Sequence, residues 1–108
     1  MKYLSKFIGL TVLFSFQVVF ATINFEYCVA EFKQIKINDD LAIEGCLNNS
    51  TEQFRFCVIK IKSLGVSEEY AVYGCMANDT LNYVNCVINL KNLKIKDRTT
   101  VKSCILEN

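Results

Sequence analysis

No histidine and no proline occur in this 108-residue chain, and its four glycines are scattered at Gly9, Gly45, Gly65 and Gly74. Each shortage excludes something. Without histidine the commonest general base of enzyme chemistry is missing. Zinc is a poor fit too, because there is no histidine ligand and no C-x2-C pair. Dispersed glycines build no phosphate-cradling loop. The lack of proline removes the strongest interrupter of helices. Beyond the first 23 residues, nothing is long and apolar enough to cross a bilayer.

The amino-terminal segment MKYLSKFIGLTVLFSFQVVFA carries Lys2 and Lys6, then an apolar run, then Val19-Phe20-Ala21 with small residues at the two places a signal peptidase reads. This pattern predicts a secretory signal peptide over residues 1–21, cleaved after Ala21. The rival reading, a membrane anchor, is disfavoured because the uncharged stretch is at the short limit for a span. Cleavage would remove two of twelve cations and leave eleven acids, turning a net charge of +1 into −1. No basic patch then remains to suggest nucleic acid or an anionic membrane as partner.

What the chain does have is a repeat. Its six cysteines stand at 28, 46, 57, 75, 86 and 104, at alternating intervals of 18 and 11, a period of 29 residues. Residues 22–108 divide into three whole units, 22–50, 51–79 and 80–108. The predicted cleavage site falls on the first unit boundary, and together the units form a single domain.

Each unit has the same internal plan. In the second unit Phe54, Cys57, Val58, Ile61 and Leu64 make one apolar stripe at helical spacing. Ser50 and Asp79 precede the first halves of units two and three as expected N-caps. Gly65 stands where a left-handed C-cap is wanted, whereas units one and three carry Lys36 and Lys94 there, a weaker stop. The second halves open with Asn38, Ser67 or Lys96, followed by Asp39-Asp40, Glu68-Glu69 or Asp97-Arg98, acids suited to the positive end of a helix dipole. Ala71, Val72, Cys75 and Met76 then line one face of a shorter helix. Each unit therefore reads as an αα-hairpin and the chain as all-α, three disulfide-stapled hairpins in a short solenoid or a compact six-helix bundle. Ile and Val enrichment keeps a strand-rich fold as the rival.

Within a hairpin, cysteines equidistant from the turn lie at the same height. This favours the pairs Cys28–Cys46, Cys57–Cys75 and Cys86–Cys104, centred on Ile37, Val66 and Ile95. The competing map joins Cys46 to Cys57 and Cys75 to Cys86 across the linkers and leaves Cys28 with Cys104. Either way every thiol is committed, so no thiol nucleophile remains.

Three further features invite functional readings. Tyr27, Phe56, Tyr70 and Tyr73 lie off the apolar stripes, where unit three has Asn85, Thr99 and Lys102 instead of the last three. They form either inter-repeat packing or a partner-binding patch. Lys33, Lys62 and Lys91 recur beside the stripe, where a lysine stem covers apolar surface and its ammonium reaches water. Asn48, Asn49 and Asn78 head N-x-S/T sequons on the linkers, with Asn49 and Asn78 the equivalent glycosylation candidates. No catalytic residue, metal or cofactor is assigned, because the acid pairs are accounted for as helix starts. The expected function is that of a secreted, non-enzymatic interaction protein that binds another extracellular protein. The alternative is a carrier of a small apolar ligand held between helices.

Overall fold

A computed structural model describes residues 24–107, with the side chain of Glu107 excepted. The predicted signal peptide, residues 1–21, lies outside the described residues. The described chain is all-α: six helices, no strand and three disulfides. They are α1 (24–34), α2 (Asp39–Asn48), α3 (Glu52–Ser63), α4 (Glu68–Ala77), α5 (Leu81–Asn92) and α6 (Asp97–Glu107).

Helices pair within each unit and then stack between units. α3 packs on α4 and α5 on α6, each an antiparallel hairpin. Between units, α3 meets α5 on one layer, while α2, α4 and α6 form the other. α1 joins the first layer, since the ring of Phe32 lies 5.8 Å from that of Phe54. The disulfides Cys28–Cys46, Cys57–Cys75 and Cys86–Cys104 each tie the two helices of one hairpin, with Cα–Cα distances of 5.8, 5.9 and 5.7 Å.

The apolar stripes become the core. Phe54, Cys57, Val58 and Ile61 of α3 are fully buried, as are Ala71 and Val72 of α4. Leu64 and Met76 pack on this core from its margin. Position 4 of the repeat holds Phe54 in unit two and Tyr83 in unit three, and each ring sits over a glycine one unit earlier. Phe54 meets Gly45 and Tyr83 meets Gly74, where an added Cβ would collide with Val72 in the first case and with Tyr83 in the second. The glycines thus let the two layers approach each other.

The helix ends explain the hairpin turns. In all three units the residue after the C-cap has a left-handed backbone: Lys36 at φ 69°, Gly65 at 87° and Lys94 at 63°. Ile37 N–H donates to Phe32 C=O and Lys36 N–H to Lys33 C=O, and Ile95 and Lys94 repeat this with Leu90 and Lys91. Both are Schellman closures, so the lysines stop their helices as Gly65 does, at the cost of a strained conformation. The N-caps differ from the expectation by one residue. Thr51 and Thr80, not Ser50 and Asp79, accept from Phe54 N–H and Tyr83 N–H through their hydroxyls. Asp79 is engaged elsewhere: its carboxylate accepts from Gln53 and Asn49.

Candidate functional site

A hydrogen-bonded ladder registers one unit on the next. The carboxylate of Glu68 accepts from the Asn38 backbone N–H at 3.1 Å and from its side-chain amide at 2.7 Å. One repeat later, Asp97 accepts from Ser67 N–H at 3.0 Å. Both carboxylates hold the same repeat position and both donors the position before it, 30 residues earlier. Asp97 also accepts from Lys91 Nζ at 2.6 Å, and Lys33 pairs with Asp39 in the same way. Partial burial pushes the Asp97 carboxyl upward, but Lys91 and Ser67 N–H outweigh it and hold the carboxyl below its usual value. Two of the three recurrent lysines, Lys33 and Lys91, are therefore ion-paired beside a hairpin turn.

Two grooves lie on opposite layers of the stack. The first, on α1 and α3, has a volume near 260 Å³ and is lined by Tyr27, Glu31, Glu52, Arg55, Phe56 and Ile59. Arg55 organises it. Its Nε donates to Glu31 at 2.6 Å, its Nη1 donates to Ser50 C=O at 2.6 Å, and its guanidinium stands 5.2 Å from the Tyr27 ring centroid. With three partners fixed, Arg55 holds Tyr27 in place by cation–π contact. Tyr27 remains 57% exposed and Phe56 52%.

The second groove, on α2 and α4, has a volume near 370 Å³ and is lined by Asn38, Asp40, Leu41, Glu44, Glu69 and Tyr73. Tyr73 donates its hydroxyl proton to Glu44 at 2.8 Å, across the unit boundary. That bond to a carboxylate raises the phenol above its ordinary pKa, and burial and the charges of Glu44 and Glu69 act in the same direction. The first groove is aromatic with a mixed charge rim; the second is acidic.

The four aromatics singled out from the sequence do not share a surface. Tyr27 and Phe56 line the first groove and Tyr73 the second, while Tyr70 stands on α4 outside both linings. Tyr73 combines the two readings considered for it, because it bonds across the repeat boundary and is still exposed. Arg55, Glu31 and Glu44 have no counterpart in the motif reading; the signal for the first pair was their opposite charge on facing helices. Of the sequon residues, Asn48 is exposed, whereas Asn49 and Asn78 are half-buried. Asn49 Oδ1 accepts from Thr51 N–H, and Asn78 Oδ1 from both the N–H and the hydroxyl of Thr80.

Fold and surface together define a class: an all-α stack of disulfide-stapled hairpins with aromatic and acidic grooves on its sides. No protein-family model, curated protein or solved structure matches the chain.

Proposed function

We propose that this chain is a secreted, non-enzymatic interaction protein whose stapled hairpins present the Tyr27–Arg55–Phe56 face to another extracellular protein. The observation that carries this reading is where the aromatics stand. An apolar-ligand carrier needs them turned inward to line a cavity, and Tyr27, Phe56, Tyr70 and Tyr73 all face outward. The interior between the layers is filled by Phe32, Phe54, Tyr83 and the aliphatic side chains around them. A rigid scaffold lowers the ordering cost of association, and aromatic and arginine side chains are the usual anchors of such contacts.

Secretion is supported by the leader pattern over residues 1–21 and by three disulfides, which persist in oxidising compartments. No helix among the described residues is long and apolar enough to cross a membrane. N-glycans at Asn49 and Asn78 belong to the same reading, and the half-burial of both side chains makes partial occupancy the expectation. The test is to express the chain in a eukaryotic host, recover it from the medium and compare native with denatured masses. Affinity capture from the extracellular fluid of the source tissue follows. The proposal expects a bare native ion and a captured protein that is lost with Tyr27→Ala and Phe56→Ala together. A small apolar adduct that disappears on denaturation would replace it with the carrier reading.

A further inference from the structure

The interface between units is used twice within the chain, and among the described residues its two halves are left partly uncovered at opposite ends. The half that faces the preceding unit is built from repeat positions 4, 8 and 22. In units two and three these are Phe54, Val58 and Val72, then Tyr83, Val87 and Val101, all at most 5% exposed. In unit one the same positions are Phe25, Val29 and Ile43. Phe25 and Val29 are only half-buried and Ile43 is 43% exposed.

The half that faces the following unit shows the opposite gradient. Phe32 and Ile61 are fully buried, but their equivalent Leu90 is half-buried. Ile37 and Val66 are buried, and their equivalent Ile95 is half-buried. Ile35 and Leu64 pack against the core, whereas their equivalent Leu93 is 70% exposed. The last unit of a stack normally ends on a polar outer face. The corresponding face of unit three carries leucine and isoleucine among the described residues.

The polar ladder is open at the same two ends. Asp39 holds the position of Glu68 and Asp97, but among the described residues no unit precedes it, and it is already paired with Lys33 as Asp97 is with Lys91. Lys96 holds the position of Asn38 and Ser67, and no described residue accepts its backbone N–H. We propose that the partner for both ends is a second copy of this chain. The Phe25–Val29–Ile43 face of one copy docks on the Leu90–Leu93–Ile95 face of the next, and Asp39 accepts from Lys96 N–H across the junction. The contact is heterologous, so it propagates head to tail instead of closing a two-fold dimer.

One substitution makes the junction looser than the internal boundaries. Ser103 replaces the glycine of Gly45 and Gly74, where the aromatic of the next unit packs. An added Cβ at Gly45 would be 3.5 Å from the Phe54 ring, an ordinary contact, though 2.9 Å from Val72. A phenylalanine such as Phe25 therefore tolerates Ser103, while Ile43 must shift. The assembly is accordingly reversible and grows with concentration.

The experiment is sedimentation velocity of the secreted chain over a concentration series, with Ile43→Lys, Leu93→Lys and their equimolar mixture alongside. Both substituted side chains are exposed, and far-ultraviolet circular dichroism checks that the helices remain. The expected result is growth of the wild type beyond dimer, two monomeric variants, and a mixture that forms a one-to-one dimer and stops. A wild type that stays monomeric at every concentration overturns the proposal. So does an Ile43→Lys protein that still dimerises while Leu93→Lys does not, which is the tail-to-tail outcome, or association unchanged in both variants. Tyr27→Ala with Phe56→Ala is expected to leave self-association intact, which separates this proposal from the one about the side face.

Discussion

The hydroxyl of Tyr83 occupies the place that a Cβ on Gly74 would take. It is buried at the boundary between units two and three and has no hydrogen-bond partner among the described residues. The equivalent residue one unit earlier, Phe54, fills its site without a hydroxyl. Tyr83→Phe should therefore raise stability by about 1 kcal/mol, because a buried unpaired hydroxyl is removed and the ring is kept. Gly74→Ala should lower it by about 1–3 kcal/mol through overpacking against Tyr83 and Val101. In the Tyr83→Phe background the Gly74→Ala penalty should shrink, and denaturant titration of the four proteins gives that coupling.

Burial pushes the Tyr83 phenol up to about 12, from 10.0 in an open chain. Between these values the folded state keeps a proton that the unfolded state has lost. The Tyr83 contribution is then complete below pH 10.0 and falls as pH rises, by roughly 1.4 kcal/mol per pH unit, until the folded phenol ionises. Thermal melts across this alkaline range should show a decline that Tyr83→Phe reduces. An identical decline in the variant would locate the sensitivity elsewhere.

Asp97 gives the acid-side counterpart. Its folded carboxyl is held below 3.8, so its contribution is present above that value and is lost as pH falls through the folded pKa. Asp97→Asn should destabilise the protein at neutral pH and flatten its acid profile. Melting temperatures of the two proteins should converge towards low pH.

Lys36 and Lys94 carry left-handed strain that Gly65 does not. Lys36→Gly and Lys94→Gly should each stabilise by about 0.5–1 kcal/mol, the relieved strain less the added freedom of the unfolded chain. Gly65→Lys should cost a similar amount. Urea midpoints of the three variants check the signs.

Much of this architecture is legible in the chain itself, because a 29-residue period repeats each physical signal three times. The stripe Phe54, Cys57, Val58 and Ile61 predicts its own burial from helical spacing alone. The caps were harder. Ser50-Thr51 and Asp79-Thr80 each offer two good capping side chains in succession, and only backbone geometry decides that the threonines take the role. Lys36 and Lys94 could be read as left-handed only by their equivalence to Gly65, since propensity argues against lysine there. The ladder needed the distance between units, although an acid recurs at the required position as Asp39, Glu68 and Asp97. Helical angle placed Tyr27, Phe56, Tyr70 and Tyr73 off the stripes. It could not say that two layers would divide them, because that depends on which helices stack between units.

The fold, the ladder and the two end faces all require each unit to be a self-contained stapled hairpin, and the disulfide map tests that most directly. The unreduced protein can be cut between every neighbouring pair of cysteines by trypsin and an aspartate-directed protease, at Lys33, Arg55, Lys60, Asp79 and Lys91 among other sites. Mass spectrometry of the linked peptides should return Cys28 with Cys46, Cys57 with Cys75 and Cys86 with Cys104. Peptides joining Cys46 to Cys57 and Cys75 to Cys86 would contradict the fold, the ladder and the two end faces together.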